Sequence, residues 1–110
     1  MEVSEVKHWL VGNIPGDDIS RGQVIAEYIG SAPTDGSGYH RYVFIVYEQP
    51  NGPIEFNEPF SSDQDFSFRP FFHLQRFALR YNLGKPLAGN LYFATFDESV
   101  PILRAQLGIL

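Results

Sequence analysis

The chain has 110 residues, of which 44% are hydrophobic and 15% aromatic, and this is enough apolar material for a packed core. The composition therefore excludes a disordered chain and predicts a single domain over residues 1–110. Its formal net charge of −5, from 13 acidic and 8 basic residues, disfavours nucleic acid and anionic membrane surfaces as partners. The absence of cysteine excludes disulfides, thiolate chemistry and cysteine-based zinc sites.

The N-terminal segment and the hydropathy pattern bear on localisation. Residues 1–8 are polar and acidic, which is not typical of a secretory signal peptide. No apolar run approaches the roughly 18 residues that a transmembrane helix needs. We expect a soluble, cytoplasmic protein.

The first half of the chain is predicted to be mainly extended. Residues 9–11 indicate a short strand, residues 23–29 favour a strand over a short helix, and the glycine-rich residues 30–38 predict a loop. Residues 40–49 give the clearest strand, because β-branched and aromatic side chains predominate. Its middle is apolar on both faces, which predicts a strand covered on both sides, as inside a sandwich.

The second half introduces helical periodicity. Apolar residues recur at spacings of three and four over residues 70–83, with Pro70 near the start and Gly84 just past the end. Residues 87–96 return to a strand pattern, and residues 100–107 favour a short terminal helix. The predicted fold class is therefore mainly β, with one or two helices late in the chain.

Three histidines are the first candidates for chemistry. His8, His40 and His73 match no local metal motif, and neither a His-x-x-x-His pair nor a cysteine partner is present. His73 lies between apolar positions of the predicted helix, which favours a structural role.

His40 and Tyr42 form a more specific candidate site. Alternate side chains of a strand share a face, so His40 and Tyr42 lie side by side where the strand leaves the glycine-rich loop. An imidazole and a phenol together offer two donors to one anion. His8 would join them if its strand pairs with theirs. The alternative, equally compatible with the pattern, is that these groups only satisfy one another at a sheet edge.

The sequence gives little support for a catalytic function. The sequence contains neither the Gly-x-Ser-x-Gly elbow of a hydrolase nor a P-loop. Asp17 and Asp18 are adjacent acids in a predicted turn, which is typical of solvated caps. We predict a protein that is not an enzyme and that uses no metal and no cofactor.

Several separated motifs resemble the phosphatidylethanolamine-binding protein family, which includes Raf kinase inhibitor protein. They are the run KHWLVGNIPGDDI from Lys7 to Ile19, the GSAP run at residues 30–33 with GYHRYVF and YEQ at 38–44 and 47–49, and the C-terminal YNLGKPLAGN and Val-Pro at 81–90 and 100–101. The resemblance extends from about Lys7 to Leu107, and the motifs occur in the family's order.

The resemblance implies a β-sandwich with peripheral helices and one pocket for phosphate or a phospholipid head group. Carried over by position, His8 and His40 correspond to the two pocket histidines and Tyr42 to the tyrosine beside them. The rim of the pocket is expected at the backbone of Gly30, Ser31 and Ala32.

Departures from the family pattern give a further expectation. The acidic Asp-Pro-Asp segment that contributes to the pocket should precede His8, and only seven residues do. Ala32 stands where many relatives have glycine, and Lys7 where some have another histidine. We expect a sandwich that is incomplete at its N-terminus, as in an isoform or fragment without the N-terminal strands. The strand edges that this leaves exposed would favour self-association.

Three functions are compatible with the sequence. The first is non-enzymatic binding of a small phosphate-bearing anion or phospholipid head group of the phosphatidylethanolamine type, with regulation of a kinase pathway as the cellular role. The second is inhibition of a kinase or serine protease through the protein surface, and a separate alternative is a truncated isoform without function. The third, a metal-dependent hydrolase, lacks a third ligand.

Overall fold

The structure is a computed structural model that describes residues 4–107. Its elements in chain order are strands β1 (Leu10–Gly12), β2 (Gln23–Ala26) and β3 (His40–Val46), helix α1 (Leu74–Arg80), strand β4 (Ala88–Ala94) and helix α2 (Val100–Gln106). A 3-10 turn at Ile19–Arg21 lies between β1 and β2. The predicted order of strands and helices is confirmed, and every element except β1 is shorter than the sequence pattern indicated.

The strands form two separate antiparallel pairs. β1 pairs with β2, and β3 pairs with β4 in a continuous seven-residue register that places Tyr42 opposite Tyr92. An isolated parallel bridge joins Ala26 to Ser61. β1 and β3 do not pair, so the condition under which strand pairing would bring His8 to Tyr42 is not met. Their side chains meet by packing instead.

The apolar core draws on β2, on both α-helices and on residues just after them. Seven hydrophobic side chains among the described residues are buried: Ile25, Ala26, Ile29, Phe77, Leu83, Val100 and Leu107. Phe77 anchors α1 through ring contacts with Phe56 at 6.1 Å and with Phe72 at 5.4 Å. Such aromatic pairs add stability beyond the area that they bury.

Helix α1 begins at Leu74, four residues later than the pattern from Pro70 predicts. Phe71 has a φ of 61°, outside the helical region. The segment before the helix is held by Glu5, whose carbonyl accepts from the Phe72 amide at 2.8 Å and whose carboxylate accepts from the Leu74 amide at 2.7 Å. A residue distant in sequence therefore supplies the helix's first hydrogen-bond acceptor.

The expectation that β3 is covered on both faces is wrong for the described residues. On one face Val43 is 51% exposed, and on the other Phe44 is 41% exposed. The apolar pattern of β3 identified a strand correctly, but it did not identify what covers it.

Candidate functional site

Arg69 is the polar centre on which the candidate site is built. Its side chain is fully buried, and its guanidinium donates only to backbone carbonyls: to Asp65 at 2.8 Å, to Ser61 and Ser62 at 3.2 and 2.8 Å, and to Lys7 and His8 at 3.4 and 3.1 Å. Burial lowers its pKa, while Asp65 and the carboxylates of Glu27 and Asp63 act in the opposite direction. Arg69 therefore fixes the backbone of residues 7–8 through two hydrogen bonds to their carbonyls.

His8 is held on both its backbone and its ring. Its carbonyl accepts from the Ile29 amide at 2.9 Å, and its ring Nδ1 donates to the Ile29 carbonyl at 3.0 Å. Burial lowers the pKa of the His8 imidazole, and Arg69 lowers it further, while the backbone hydrogen bonds to Ile29 and Gly30 oppose the change. The free ring is therefore biased towards its neutral form, and a bound anion would favour proton uptake.

Tyr42 packs against the His8 ring in a T-shaped arrangement. The two ring centroids lie 5.2 Å apart at an interplanar angle of 73°, and Tyr92 stacks on Tyr42 with the centroids 5.1 Å apart. Burial raises the pKa of Tyr42, the nearby Tyr92 adds to the rise, and a backbone hydrogen bond with Ala32 acts against it. The phenol therefore stays neutral near pH 7 and is available as a donor.

His40 and the rim residues take different positions. His40 shares the strand face of Tyr42, and its Nε2 lies 2.6 Å from the Ser37 hydroxyl. Gly30, Ser31 and Ala32 are half-buried, and the Ala32 carbonyl accepts from Arg104 at 3.3 Å. The structure thus brings His8, Tyr42, Gly30 and Ala32 together by direct contacts. His40 lies two residues before Tyr42 on the same face of β3, and its ring is hydrogen-bonded to Ser37 in the preceding loop.

Two features near the site were missed from the sequence. No sequence motif singles out Arg69, which is fully buried. Lys7 was noted only as a departure from a motif. It is 6% exposed, and its ammonium lies 5.4 Å from the centre of the Phe72 ring. Burial lowers the pKa of Lys7, with Glu58 opposing and Arg69 reinforcing the change.

A cavity lies apart from the histidines, which are not among its lining residues. It has a volume of about 280 Å³ and is bounded by the loop at residues 49–54 and the end of α1 at residues 80–82. Asn13 holds this loop, since its side chain donates to the Ile54 carbonyl at 2.9 Å and accepts from the Gln49 amide at 2.7 Å. The cavity contains none of the predicted site residues.

Metal-ligating clusters and membrane-spanning helices are both absent from residues 4–107. No three His, Asp or Glu side chains in that range converge closely enough to hold a metal ion. Both α-helices have seven residues, and no described helix is long and apolar enough to cross a membrane.

The chain was compared with known proteins. The family model described as phosphatidylethanolamine-binding protein matches residues 1–93. A Drosophila melanogaster protein named "Putative odorant-binding protein A5" is 39% identical over 100 residues, which is 91% of this chain and 47% of that protein. A solved structure titled "CG7054 solution structure" superposes with a TM-score of 0.76 at 37% identity, covering 94% of this chain and 57% of the other. The chain therefore spans about half the length of the relatives it matches.

Proposed function

Since the chain belongs to the phosphatidylethanolamine-binding protein family, we propose that it binds small phosphate-bearing anions, free or as phospholipid head groups, without catalysing a reaction. The observation that supports this most is the T-shaped contact between the His8 and Tyr42 rings, whose centroids lie 5.2 Å apart. It gathers an imidazole and a neutral phenol beside the Gly30–Ala32 backbone. The phenol can donate to a phosphate oxygen, and the imidazole can do so from Nε2 once the ring is protonated, because Nδ1 already donates to the Ile29 carbonyl.

The protonation of His8 should make the affinity for phosphate depend on pH. A protonated imidazole attracts an anion and donates a charge-assisted hydrogen bond, whereas a neutral ring only donates or accepts. Since burial lowers the pKa of His8, a phosphate that binds there is expected to bring a proton with it. Affinity should rise as the pH falls from mildly alkaline to mildly acidic.

The test is a titration of the histidine ring signals by NMR with inorganic phosphate and, separately, with phosphoethanolamine. Saturable shifts at His8 and His40, with His73 unaffected, support the site. His8→Asn, which keeps a donor for the Ile29 carbonyl, should weaken binding about tenfold, and His73→Asn is the matched control. Tighter binding of phosphoethanolamine than of phosphate would favour a head group as the ligand. A folded protein without saturable shifts contradicts the proposal.

A second candidate function is inhibition of a kinase or serine protease through the protein surface. It is favoured by the exposed apolar face of the β3–β4 pair, where Val43, Leu91 and Phe93 are 51%, 49% and 62% exposed. Exposed apolar patches of this kind are typical of interaction surfaces. In inhibition assays, His8→Asn would leave this activity intact while Leu91→Lys would reduce it, and the opposite pattern would exclude it. A regulatory role in a kinase pathway and a cytoplasmic location remain predictions.

A further inference from the structure

A continuous set of aromatic rings extends from the His8–Tyr42 contact across the junction between the two strand pairs. We call Trp9, Tyr28, Phe44 and Tyr92 the aromatic seam. The centroids of Trp9 and Phe44 lie 6.4 Å apart at 82°, those of Trp9 and Tyr28 5.9 Å apart at 86°, and those of Phe44 and Tyr92 6.1 Å apart. Tyr92 also stacks on Tyr42 at 5.1 Å, so the seam continues directly into the site.

The seam is accessible to a ligand. Trp9 and Phe44 are each 41% exposed and Tyr28 is 51% exposed, although each already contacts another ring. The rings join the two strand pairs, because Phe44 and Tyr92 lie on one face of the β3–β4 pair while Trp9 directly precedes β1 and Tyr28 follows β2. Exposed aromatic surface that is contiguous with a polar site is a recurring feature of ligand-binding regions.

We propose that the aromatic seam binds an aromatic ring attached to the phosphate group, so that this protein prefers aryl phosphate monoesters. The inference rests on the proposed function, because the anion is anchored by the residues around His8 and Tyr42. A ring joined to that phosphate would lie against Tyr92 first and Phe44 next. Phe44 is the central ring of the seam, since it contacts both Tyr92 and Trp9.

The geometry favours an aromatic substituent over an aliphatic one of equal size. Both would remove apolar area from water, but only a flat ring can add edge-to-face or offset-stacked contacts with the rings already present. The rings of the seam adopt such arrangements with one another, with interplanar angles of 82° and 86° around Trp9. An added ring would extend the same packing.

The experiment compares phenyl phosphate with cyclohexyl phosphate, which has the same number of ring carbons without the π-system. Affinities are measured by calorimetry, and inorganic phosphate is titrated alongside by NMR of the His8 ring. Phenyl phosphate is expected to bind about twofold to tenfold more tightly than cyclohexyl phosphate. It should also change the emission of Trp9, the one tryptophan of the chain.

Variants locate the effect. Phe44→Leu should bring the ratio of the two affinities close to one, Phe44→Tyr should retain it, and Phe60→Leu is the control at an exposed phenylalanine outside the seam.

Equal affinities for phenyl and cyclohexyl phosphate in the unmodified protein, or tighter binding of phosphocholine than of phenyl phosphate, would overturn the inference while leaving phosphate binding in place. Absence of phosphate binding at His8 would overturn the proposed function and this inference together.

Discussion

The guanidinium of Arg69 donates to the carbonyl oxygen of His8 at 3.1 Å, so a fully buried cation fixes the backbone of the residue that carries the first candidate imidazole. No carboxylate among the described residues forms a salt bridge with this cation. Five backbone carbonyls take its hydrogen bonds instead. The stability of the fold and the position of His8 are therefore coupled through one side chain.

Replacing Arg69 should be among the most damaging single changes. Arg69→Met leaves several buried carbonyls without a donor, so we expect the free energy of unfolding to fall by about 3–5 kcal/mol. Arg69→Lys should rescue little of it, because an ammonium cannot reproduce the planar fork. Urea denaturation measures the change, with the exposed Arg76→Met as control. Equal stabilities of Arg69→Met and Arg76→Met would contradict this account.

Ser61 offers a change in the opposite direction. Its side chain is fully buried, and its hydroxyl has no hydrogen-bond partner within residues 4–107. A buried hydroxyl without a partner costs free energy, so Ser61→Ala should leave stability unchanged or raise it by up to about 1 kcal/mol. Thermal unfolding is sufficient to detect this. A clear loss of stability would mean that the hydroxyl has a partner.

Gly12 is required by the ring packed over it. A methyl group at Gly12 would lie 2.3 Å from Cε2 of Phe56, whose ring contacts Tyr81 at 4.9 Å. Gly12→Ala should therefore destabilise the fold by about 1–3 kcal/mol through overpacking. Gly30→Ala is the matched control, since its new methyl group would lie no closer than 3.8 Å to the Tyr28 ring. Chemical denaturation of the two variants should separate them, and similar losses would refute the packing argument.

His8 should make stability depend on pH in a defined direction. Burial lowers its pKa below the ordinary value of 6.5, so below that pH the unfolded state takes up the proton first. This contribution to stability is complete above pH 6.5 and is lost as the pH falls through the lower value of the folded protein. His8→Asn should flatten that part of the profile in denaturation curves collected at several pH values. An unchanged profile would exclude His8 as its origin.

Self-association should follow from the open β3–β4 pair. Within the described residues each of these strands pairs on one side only, and unpaired edges with apolar faces favour contact with another chain. We expect concentration-dependent sedimentation, reduced by Val43→Lys on the exposed face, with Arg41→Lys on the same face as control. A single monomeric species at all concentrations would contradict this expectation.

The element order could be predicted from local sequence because β-branched runs and helical spacing act over short distances. The β3 strand was predicted from residue 40 onwards and begins there. The start of α1 could not be predicted, because Glu5 supplies the acceptor for the Leu74 amide. That contact depends on tertiary structure, which a local pattern does not contain.

In the candidate site, too, local features could be predicted from the sequence and tertiary contacts could not. The shared face of His40 and Tyr42 follows from strand alternation, and the structure confirms that face. The position of Arg69 does not follow, because the charge of an arginine indicates exposure unless its acceptors are known. Those acceptors are backbone carbonyls, and backbone groups leave no signature in the sequence. That His8 lies beside Tyr42 was expected from the family resemblance, whereas the sequence pattern alone offered it only on condition that their strands pair, and they do not.

The hydrogen bond from Arg69 to His8 spans 61 residues of the chain. During synthesis from the N-terminus, the segment that carries His8 therefore emerges well before the cation that holds it. Contacts between distant residues form late, since the intervening chain must first be ordered. A nascent chain that ends before Arg69 should have no ordered site, and ligand added at that stage should not assist folding.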